Sequence, residues 1–563
     1  PIVIDRNHAF TKVDGVLFKQ MLKMLSLDFI CNYDSLILKD TKKINKLAFA
    51  LDMAVAGRSD ESVWIRQAQE IRKQMTDSLI DSAFTYLPEG VKHDEIELIK
   101  RKLKRRRLEL EAVACQYYRL LQRTPVVAGT NQSDYFLIER QAPDRTILRI
   151  YDPETGDCRL EQQFSGKETK ELWLYGLAGN DTFEVKGNTR KDFPIYLISG
   201  EGENQYQLNH SRKIHVYDKD YKYDYQKIKY HKISFTPWGI YDSDKGISLG
   251  TFFTYTMYGF KRAPFTYQHR IGYNYLKGFM YAGVFPNYDG RRRLYLNASI
   301  SSPRNFENFF GFGNNTAGYK EEKKNYNRVK LRTYMLNPSF EMDLRKEEVV
   351  TFFGSLDMYK AKRTDDRYIY TVYGEDHPIF RTNYFVGLGA TYRITKQPYS
   401  WLPLLETEWT AGWKMNLKKP ERNFPYAQGS LSWNVRFSDR FTWASLMKGT
   451  VLFDNDYEFY QAATIDLRGF RDNRFIGKQS FYQYSDLRLD MGKLKNPFTP
   501  LKYGLFAGFD YGRVWFPGER SHCWHTSYGG GIWLTFLNKF TTKYSWFGST
   551  DSFRFAFELG LGF

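Results

Sequence analysis

The chain has 563 residues, more than one ordinary domain holds, and a formal net charge of +18. Aromatic residues make up 17% of it, yet the sequence contains no run of 18 apolar residues, which excludes helical membrane spans. The basic residues are spread over turns and loops along the whole length, so the positive charge does not indicate a nucleic-acid partner.

The first residues, from Pro1 to Gly15, have the pattern of a strand followed by a polar turn. They also resemble a segment of kinase-like proteins in which an aspartate after a strand holds the metal on a nucleotide's phosphates. The resemblance implies that Asp5 is a metal ligand, left from a larger catalytic domain encoded upstream. No Gly-rich loop, lysine or catalytic-loop motif accompanies it, so we expect that the chain alone is not an enzyme. Since the chain begins at Pro1 without a signal peptide, we expect it to be a processed form or a fragment.

Two segments precede the main part of the chain. Residues 1–122 are mostly of helical periodicity, and the basic cluster Arg101–Arg107 lies on the last predicted helix, as a solvated face or as a contact with anionic lipid or a partner. Residues 123–227 contain short β runs separated by Gly, Pro and Asn turns, which predicts a small β domain.

Two turns of that β domain are alike. Gly176–Phe183 and Ser199–Tyr206 each place glycines before an acidic or amide residue and an aromatic. The first copy is similar to the calcium-binding nonapeptide of β-rolls, which implies Asp181 as a possible Ca²⁺ ligand. A purely structural turn is the alternative, and we expect no cofactor beyond this possible cation.

Residues 228–563 alternate between apolar and polar positions in segments of about ten residues or more, which is typical of a transmembrane β-barrel. We therefore predict a mainly β protein with about sixteen antiparallel barrel strands. Short turns alternate with the long stretches 303–325, 363–379 and 454–479, so the long stretches are assigned to the outer side and the short turns to the periplasm. The predicted strands are 228–236, 246–258, 264–275, 278–288, 292–302, 326–344, 348–362, 380–395, 405–417, 426–438, 441–453, 480–492, 501–516, 525–535, 538–546 and 552–563.

The outer loop after the eleventh predicted strand contains the tripeptide Arg468-Gly469-Phe470, and a later strand contains Gly508-Phe-Asp-Tyr-Gly512. These motifs, together with Asn308–Asn314, resemble the BamA/TamA-like superfamily of outer-membrane insertases and translocators, also called the bacterial surface antigen family. The resemblance covers about 228–563. It implies that the loop folds into the lumen, where Arg468 pairs with an acidic residue on a neighbouring strand, here Asp510 beside Gly512.

We call the predicted group of interacting lumen residues the lumen latch. It consists of Arg468, Gly469, Phe470, Asp510 and Gly512, together with two further residues, Asp486 and Arg488. Asp486 and Arg488 share the inward face of the twelfth predicted strand. Arginine suits a latch because its planar guanidinium can hold a carboxylate by two hydrogen bonds and keeps its charge.

The last strand has one fully apolar face and ends the chain on an aromatic residue. It resembles the C-terminal assembly signal of bacterial outer-membrane proteins, and we expect its apolar face to contact lipid. The residues of that face are Phe553, Phe555, Phe557, Leu559, Leu561 and Phe563.

The sequence leaves three functional classes open. The first is insertion, translocation or display of polypeptides at the bacterial outer membrane. The second is an anchor for an upstream phosphoryl-transfer domain, and the third is a passive pore. The small βαββ modules that receive clients in the superfamily are not evident in 1–227, which puts a general insertase role in doubt. The partners expected are outer-membrane lipid, polypeptide clients and periplasmic or surface proteins, with residues 1–227 in the periplasm.

Overall fold

The structure is a computed structural model. The chain forms two compact units, with the boundary near residue 230. The described residues are 32–45, 47–57, 59–85, 93–141, 143–188, 192–209, 212–217, 232–242, 244–258, 265–287, 290–316, 325–396, 404–494, 501–536 and 540–561. The kinase-like segment with Asp5, and Phe563, lie outside them.

The first unit begins with helices that pack against the long helix α5. The helices are α1 (Thr41–Ile44), α2 (Phe49–Ala56), α3 (Glu61–Gln74), α4 (Asp77–Ala83) and α5 (His93–Leu121), after a 3₁₀ turn at Leu38–Asp40. None of the described helices is long and apolar enough to cross a membrane.

The basic cluster on α5 makes contacts within the unit. Arg106 donates to the carbonyl of Asp34, and Arg107 donates to the carbonyl of Met75, which ends α3. Lys104 forms an ion pair with Asp81 of α4. These three cations therefore hold the helices together, a role that neither reading of the cluster from the sequence included.

Nine strands follow the helices and form two sheets. The strands are β1 (Val126–Ala128), β2 (Tyr135–Gln141), β3 (Arg145–Tyr151), β4 (Cys158–Ser165), β5 (Leu172–Tyr175), β6 (Thr182–Gly187), β7 (Ile195–Ile198), β8 (Gln205–Leu208) and β9 (Ile214–Tyr217). One sheet has the order β1-β5-β7-β9 and is parallel, and the other has the order β4-β3-β2-β6-β8. The chain crosses repeatedly from the first sheet to the second, so that the strands stack as successive coils.

Three coils of this stack are equivalent, one more than the sequence showed. Phe136, Phe183 and Tyr206 follow the three turns and stack in one column, with ring centroids 4.5 and 5.7 Å apart. The helices share a core with the first sheet, since Met53 and Leu121 pack in one cluster with residues of β1 and β5.

The second unit is a closed barrel. Its strands are β10 (Lys232–Asp242), β11 (Gly246–Met257), β12 (Tyr267–Asn274), β13 (Gly278–Pro286), β14 (Arg292–Ile300), β15 (Phe306–Asn308), β16 (Arg328–Arg345), β17 (Glu348–Ala361), β18 (Asn383–Lys396), β19 (Leu404–Asn416), β20 (Asn423–Arg436), β21 (Phe441–Leu452), β22 (Ala463–Thr464), β23 (Ile476–Gly477), β24 (Gln479–Leu494), β25 (Leu501–Trp515), β26 (His525–Phe536), β27 (Phe540–Gly548) and β28 (Phe553–Leu561). A short helix, α6 (Tyr368–Tyr373), and 3₁₀ turns at Pro378–Phe380 and Phe459–Gln461 lie in its loops.

Sixteen of these strands make the barrel wall, which confirms the predicted fold class. β15 is a short extra strand on β16, since β14 already pairs directly with β16, and β22 pairs with β23 inside a loop. Successive neighbours pair antiparallel, and fifteen of the predicted strands match the observed ones to within a few residues.

The first barrel strand was predicted to end before Pro237 but continues to Asp242. Proline lacks the N–H that a central strand needs and is therefore confined mainly to edge strands, strand starts and bulges. In the structure, β10 pairs with β28 only at Tyr241 and Asp242, so the edge of β10 beside Pro237 has no described strand partner on that side. Pro237 itself lies opposite Thr251 of β11, within the paired part of the strand.

The same pairing makes the seam between the first and last strands narrow. Tyr241 faces Phe557 and Asp242 faces Ala556, and these are the pairs that join β10 to β28 among the described residues. By contrast, β28 pairs with β27 over its whole length, from Leu561 to Phe553. The seam therefore has far fewer backbone hydrogen bonds than the other strand junctions.

Candidate functional site

The loop between β21 and β24 folds back into the barrel. Its ends pair as the small hairpin of β22 and β23, and its apolar side chains Ile465, Leu467, Phe470 and Phe475 are buried. They pack against Tyr482 and Val514 on the inner wall. The loop thereby fills part of the lumen with a small core of its own.

Arg468 is the polar centre of this loop. Its Nε lies 3.1 Å from both carboxylate oxygens of Asp510 on β25, and its backbone N–H donates to Asp510 at 3.0 Å. Its Nη1 donates to Asp486 on β24 at 2.6 Å. Asp510 is fully buried and also accepts from the Ser527 hydroxyl at 2.8 Å. One guanidinium thus holds two carboxylates on adjacent strands, the arrangement that Arg forms better than Lys.

Glycines give the loop the space it occupies. A Cβ at Gly508 would lie 2.7 Å from Arg468 Nη2, and one at Gly469 would lie 2.6 Å from the Cβ of Ser527. Gly512 has a different neighbour, because a Cβ there would meet Tyr482 of β24 at 2.7 Å. Gly508 is thus the glycine that makes room for the arginine.

The guanidinium of Arg468 also lies over an aromatic ring, 3.9 Å from the centroid of Phe547 on β27. Phe470, the third residue of the tripeptide, packs edge-on against Phe475, and Phe475 stacks on His525 at 3.5 Å. The motif therefore connects β24, β25, β26 and β27.

A cavity of about 440 Å³ lies beside this loop, between it and the last strands. Its charged lining is mixed, with Arg488, Lys543 and Arg554 facing Asp486 and Glu558. Arg488 lies 3.6 Å from Asp486 and so helps to neutralise the carboxylate that Arg468 also holds.

The tip of the loop contacts both sides of the narrow seam. On one side, Lys245 in the turn between β10 and β11 pairs with Asp472 at 2.7 Å. On the other side, Arg474 pairs with Asp551 in the turn between β27 and β28, and Ser549 donates to the carbonyl of Gly469 at 2.7 Å. We call these contacts the seam strap. Sequence reasoning missed them because no local pattern relates residues so far apart in the chain.

The segment Asn308–Asn314 is a second anchor for the loop. The N–H of Gly313 donates to the carbonyl of Ile476 at 2.8 Å, while Asn314 exchanges hydrogen bonds with the backbone of Val514. Glu519 accepts from the backbone N–H of Asn314 at 2.7 Å. The resemblance marked this segment but gave it no partners.

The apolar face of the last strand points outward where its side chains are described. Phe553 is 72% exposed, whereas Arg554 is buried and lines the lumen cavity with Ala556 and Glu558. The side chains of Leu559 and Leu561 lie outside the described part of the strand.

Asp181 lies in the stacked coils of the first unit and is fully buried. Its Oδ1 accepts from the backbone N–H of Asp134 at 2.9 Å, and its own N–H donates to Asn204 at 2.9 Å. Burial raises the pKa of Asp181 to about 7. The carboxylate of Asp134 accepts hydrogen bonds from the backbone N–H of Thr130 and from the guanidinium of Arg159, so its oxygens are not free to bind Ca²⁺. The side chains at this turn therefore fit a structural ladder better than a calcium site.

No group of three or more His, Cys, Asp or Glu side chains within the described residues is arranged to hold a metal ion.

Comparison with known proteins gave no matching family model and no matching curated protein. The chain is similar to solved structures, among them the following three. BamA from Haemophilus ducreyi lacking POTRA domains 1–3 is 11% identical, with 59% of this chain and 71% of that chain covered and a TM-score of 0.44. CdiB from Escherichia coli is 11% identical over 58% and 63%, with a TM-score of 0.40, and CdiB from Acinetobacter baumannii is 12% identical over 60% and 66%, with a TM-score of 0.37. The match spans less than two thirds of either CdiB chain.

The position of the motif in the barrel is an observation separate from these similarities. The arginine of the R-G-F tripeptide lies inside the barrel and pairs with Asp510 on a neighbouring strand. The chain thus resembles the BamA/TamA-like superfamily both in the R-G-F motif and in where its arginine lies.

Proposed function

We propose that this chain is an outer-membrane barrel that inserts or translocates polypeptides, with residues 1–227 in the periplasm. The observation that carries the proposal is that one loop in the lumen is bound to Asp510 and is also strapped to both sides of a narrow seam. A barrel whose seam and lumen are controlled by the same element can admit a client by moving that element.

The seam supports this function through its small number of strand pairs. Separating β10 from β28 breaks the pairing at Tyr241 and Asp242, whereas separating any full strand pair would break many more hydrogen bonds. Unpaired backbone groups are costly in lipid. The exposed strand edges could therefore pair with a client strand, which would satisfy them again.

The lumen contents argue against a passive pore. The inserted loop and an aromatic cluster occupy the outer end, where Phe309 packs against Phe459 and Tyr373, and Phe312 stacks on Phe516. Free passage of solutes requires an open aqueous path. A lumen filled in this way requires movement before anything of peptide size can pass.

The proposed clients are polypeptides, and the proposed surroundings are outer-membrane lipid and periplasmic or surface proteins. We propose neither nucleic-acid binding nor catalysis. Positive and negative side chains alternate in the lumen cavity, which suits transient contact with a moving polypeptide better than tight binding of one sign of charge.

A pair of cysteines across the seam tests the proposal. In a chain whose native cysteines are serine, Tyr241→Cys with Phe557→Cys would allow a disulfide between β10 and β28. The matched control, Tyr544→Cys with Phe557→Cys, places the disulfide between β27 and β28, whose pairing is already complete. The measurement is the protein content of the outer membrane and cell surface in the native host, with and without a reductant.

We expect the seam disulfide to reduce the amount of specific outer-membrane or surface proteins, and reduction to restore them. The control disulfide should have little effect. If deletion of the whole chain leaves the outer-membrane and surface proteins unchanged, the proposal is wrong. A seam disulfide without effect would exclude lateral entry of clients.

A further inference from the structure

Four basic side chains lie together on the outward face of two adjacent barrel strands. Lys330 and Arg332 are near the start of β16, Lys360 is near the end of β17, and Lys362 directly follows β17; all four are exposed. Arg332 is directly opposite Lys360 in the antiparallel register, and the backbone of Lys362 is bonded to that of Lys330. We call these residues the rim cluster.

The inner face of the same strand ends shows that the rim cluster points away from the lumen. Val329 and Leu331 on β16, and Tyr359 and Ala361 on β17, alternate with the four cations and are buried in one apolar cluster. Because side chains alternate across a strand, the cations must face the surroundings of the barrel. A groove of about 550 Å³ lies along them.

Below the rim cluster, the same outward face is apolar. The large apolar side chains on the outward face of β16 and β17 that are at least 38% exposed are Tyr334, Leu336, Phe340, Leu344, Phe352 and Leu356. This apolar column is about ten residues long, which is the length that a tilted strand needs to cross the hydrocarbon core. The rim cluster therefore lies at the level of the lipid headgroups on the side of the long loops.

The four positive charges of the rim cluster destabilise the pairing of β16 with β17 unless an anion neutralises them. Like charges directly opposite each other destabilise a strand pair, and among the described residues none of the four forms an ion pair with an acidic side chain. At the same outer rim, other strands and loops carry outward aromatics such as Tyr384, Phe453 and Trp515, which suit an interface without demanding a counterion.

We infer that the rim cluster binds the phosphate of a phosphorylated lipid in the outer leaflet, with its acyl chains along the apolar column below. Lysine and arginine bind phosphate through charge-assisted hydrogen bonds, and several at one membrane surface act together. The apolar column next to the rim cluster favours a lipid over free phosphate, because only a lipid has acyl chains that can contact the column. The inference rests on the outer-membrane location proposed above, but not on polypeptide transport.

The test measures lipid binding by the purified full chain in detergent micelles. The probes are bis-phosphorylated lipid A, the same lipid after removal of both phosphates, and inorganic phosphate as competitor, with retained lipid counted by native mass spectrometry. The test variant changes Lys330, Arg332, Lys360 and Lys362 to glutamine. The control variant changes Arg345, Lys346, Lys493 and Lys502, at the opposite rim, and so removes the same charge.

We expect the rim variant to bind phosphorylated lipid A at least tenfold more weakly than the unchanged chain, and the control variant to bind it normally. Dephosphorylated lipid should bind weakly to all three, and millimolar inorganic phosphate should not displace the lipid. Heat-dependent mobility in SDS gels checks that each variant is a folded barrel. Should the four-residue variant not fold, Lys360→Gln with Lys362→Gln serves instead, with a smaller expected loss.

Equal retention of phosphorylated lipid A by the rim variant and the unchanged chain would overturn the inference. Equal binding of the dephosphorylated lipid to the unchanged chain would also overturn it, because the phosphate would then contribute nothing. Displacement by inorganic phosphate would show an anion site without lipid selectivity and would equally contradict it. All of these outcomes are independent of whether the chain transports polypeptides.

Discussion

Lys245 and Asp472 form an ion pair of 2.7 Å that joins the first hairpin of the barrel to the loop carrying Arg468. The loop is therefore held at its base by Asp510 on β25 and at its tip by the strands on both sides of the seam. Release of the loop must break both sets of contacts, and each set can be altered separately.

Replacement of Arg468 by alanine should destabilise the inserted loop strongly. Asp510 is fully buried, and loss of its cation leaves an uncompensated charge, which costs about 3–5 kcal/mol. We expect less folded barrel in the outer membrane, measured by heat-dependent mobility in SDS gels. Arg468→Ala combined with Asp510→Asn should recover part of the loss, and Arg468→Lys should be intermediate. Normal assembly of the alanine variant would contradict this role.

Exchanging the charges of Lys245 and Asp472, the ion pair of the seam strap, should restore stability that either single charge reversal removes. Lys245→Glu places two like charges together, and Asp472→Lys does the same, whereas the double variant restores the pair with reversed sign. Because both side chains are partly exposed, the coupling should be about 0.5–1 kcal/mol. The measurement is the midpoint of thermal unfolding of the barrel. If the change in unfolding midpoint of the double variant equals the sum of the changes in the two single variants, the two side chains are not energetically coupled.

The two faces of β28 should differ in their tolerance of substitution. Phe557→Arg puts a charge on the face opposite to the lumen and should cost about 2–4 kcal/mol if the residue lies near the midplane. Glu558→Gln, whose side chain lines the lumen cavity, should be mild. An outer-membrane assembly assay compares them, and equal tolerance would refute the assignment of faces.

The alternation of apolar and polar residues was enough to predict the barrel strands, because each strand faces two different surroundings. It ended the first barrel strand at residue 236, whereas β10 continues through Pro237 to Asp242. The sequence also predicted the position of Arg468 through its motif. It could not predict the strap or the rim cluster, because Lys245 with Asp472, and Arg332 with Lys360, meet only through the barrel register.

The coil at Gly129–Phe136 shows a similar limit. The other two turns were recognised by Gly179 and Gly202 at equivalent positions, but this turn has Gln132 there. Its equivalence is visible in the structure from Asp134, which continues the ladder of Asp181 and Asn204. The hydrogen bonds of this ladder therefore identify a coil that lacks the glycine shared by the other two.

The stability of the coils should depend on pH through Asp181, whose pKa burial raises to about 7. An acid with a raised pKa in the folded state stabilises most below its unfolded pKa of about 4, and this contribution is lost as pH rises to about 7. Asp181→Asn should remove that dependence, since Asn204 shows that an amide fits the adjacent position. Hydrogen exchange of the full chain at pH 5 and 8 measures it. Protection of the coils by Ca²⁺ would instead indicate a metal site at Asp181.

The chain by itself should bind neither Mg²⁺ nor ATP appreciably. The kinase-like resemblance supplies Asp5 alone, which lies outside the described residues, and a nucleotide site also needs a second carboxylate, a lysine and a phosphate-binding loop. Arg468, Asp486 and Asp510 are bound to one another in the lumen and are not arranged around a free site. Calorimetry on the refolded chain checks the expectation, with Asp5→Ala as the matched variant. Clear binding of Mg-ATP that Asp5→Ala abolishes would contradict it and would favour a membrane-anchored enzyme.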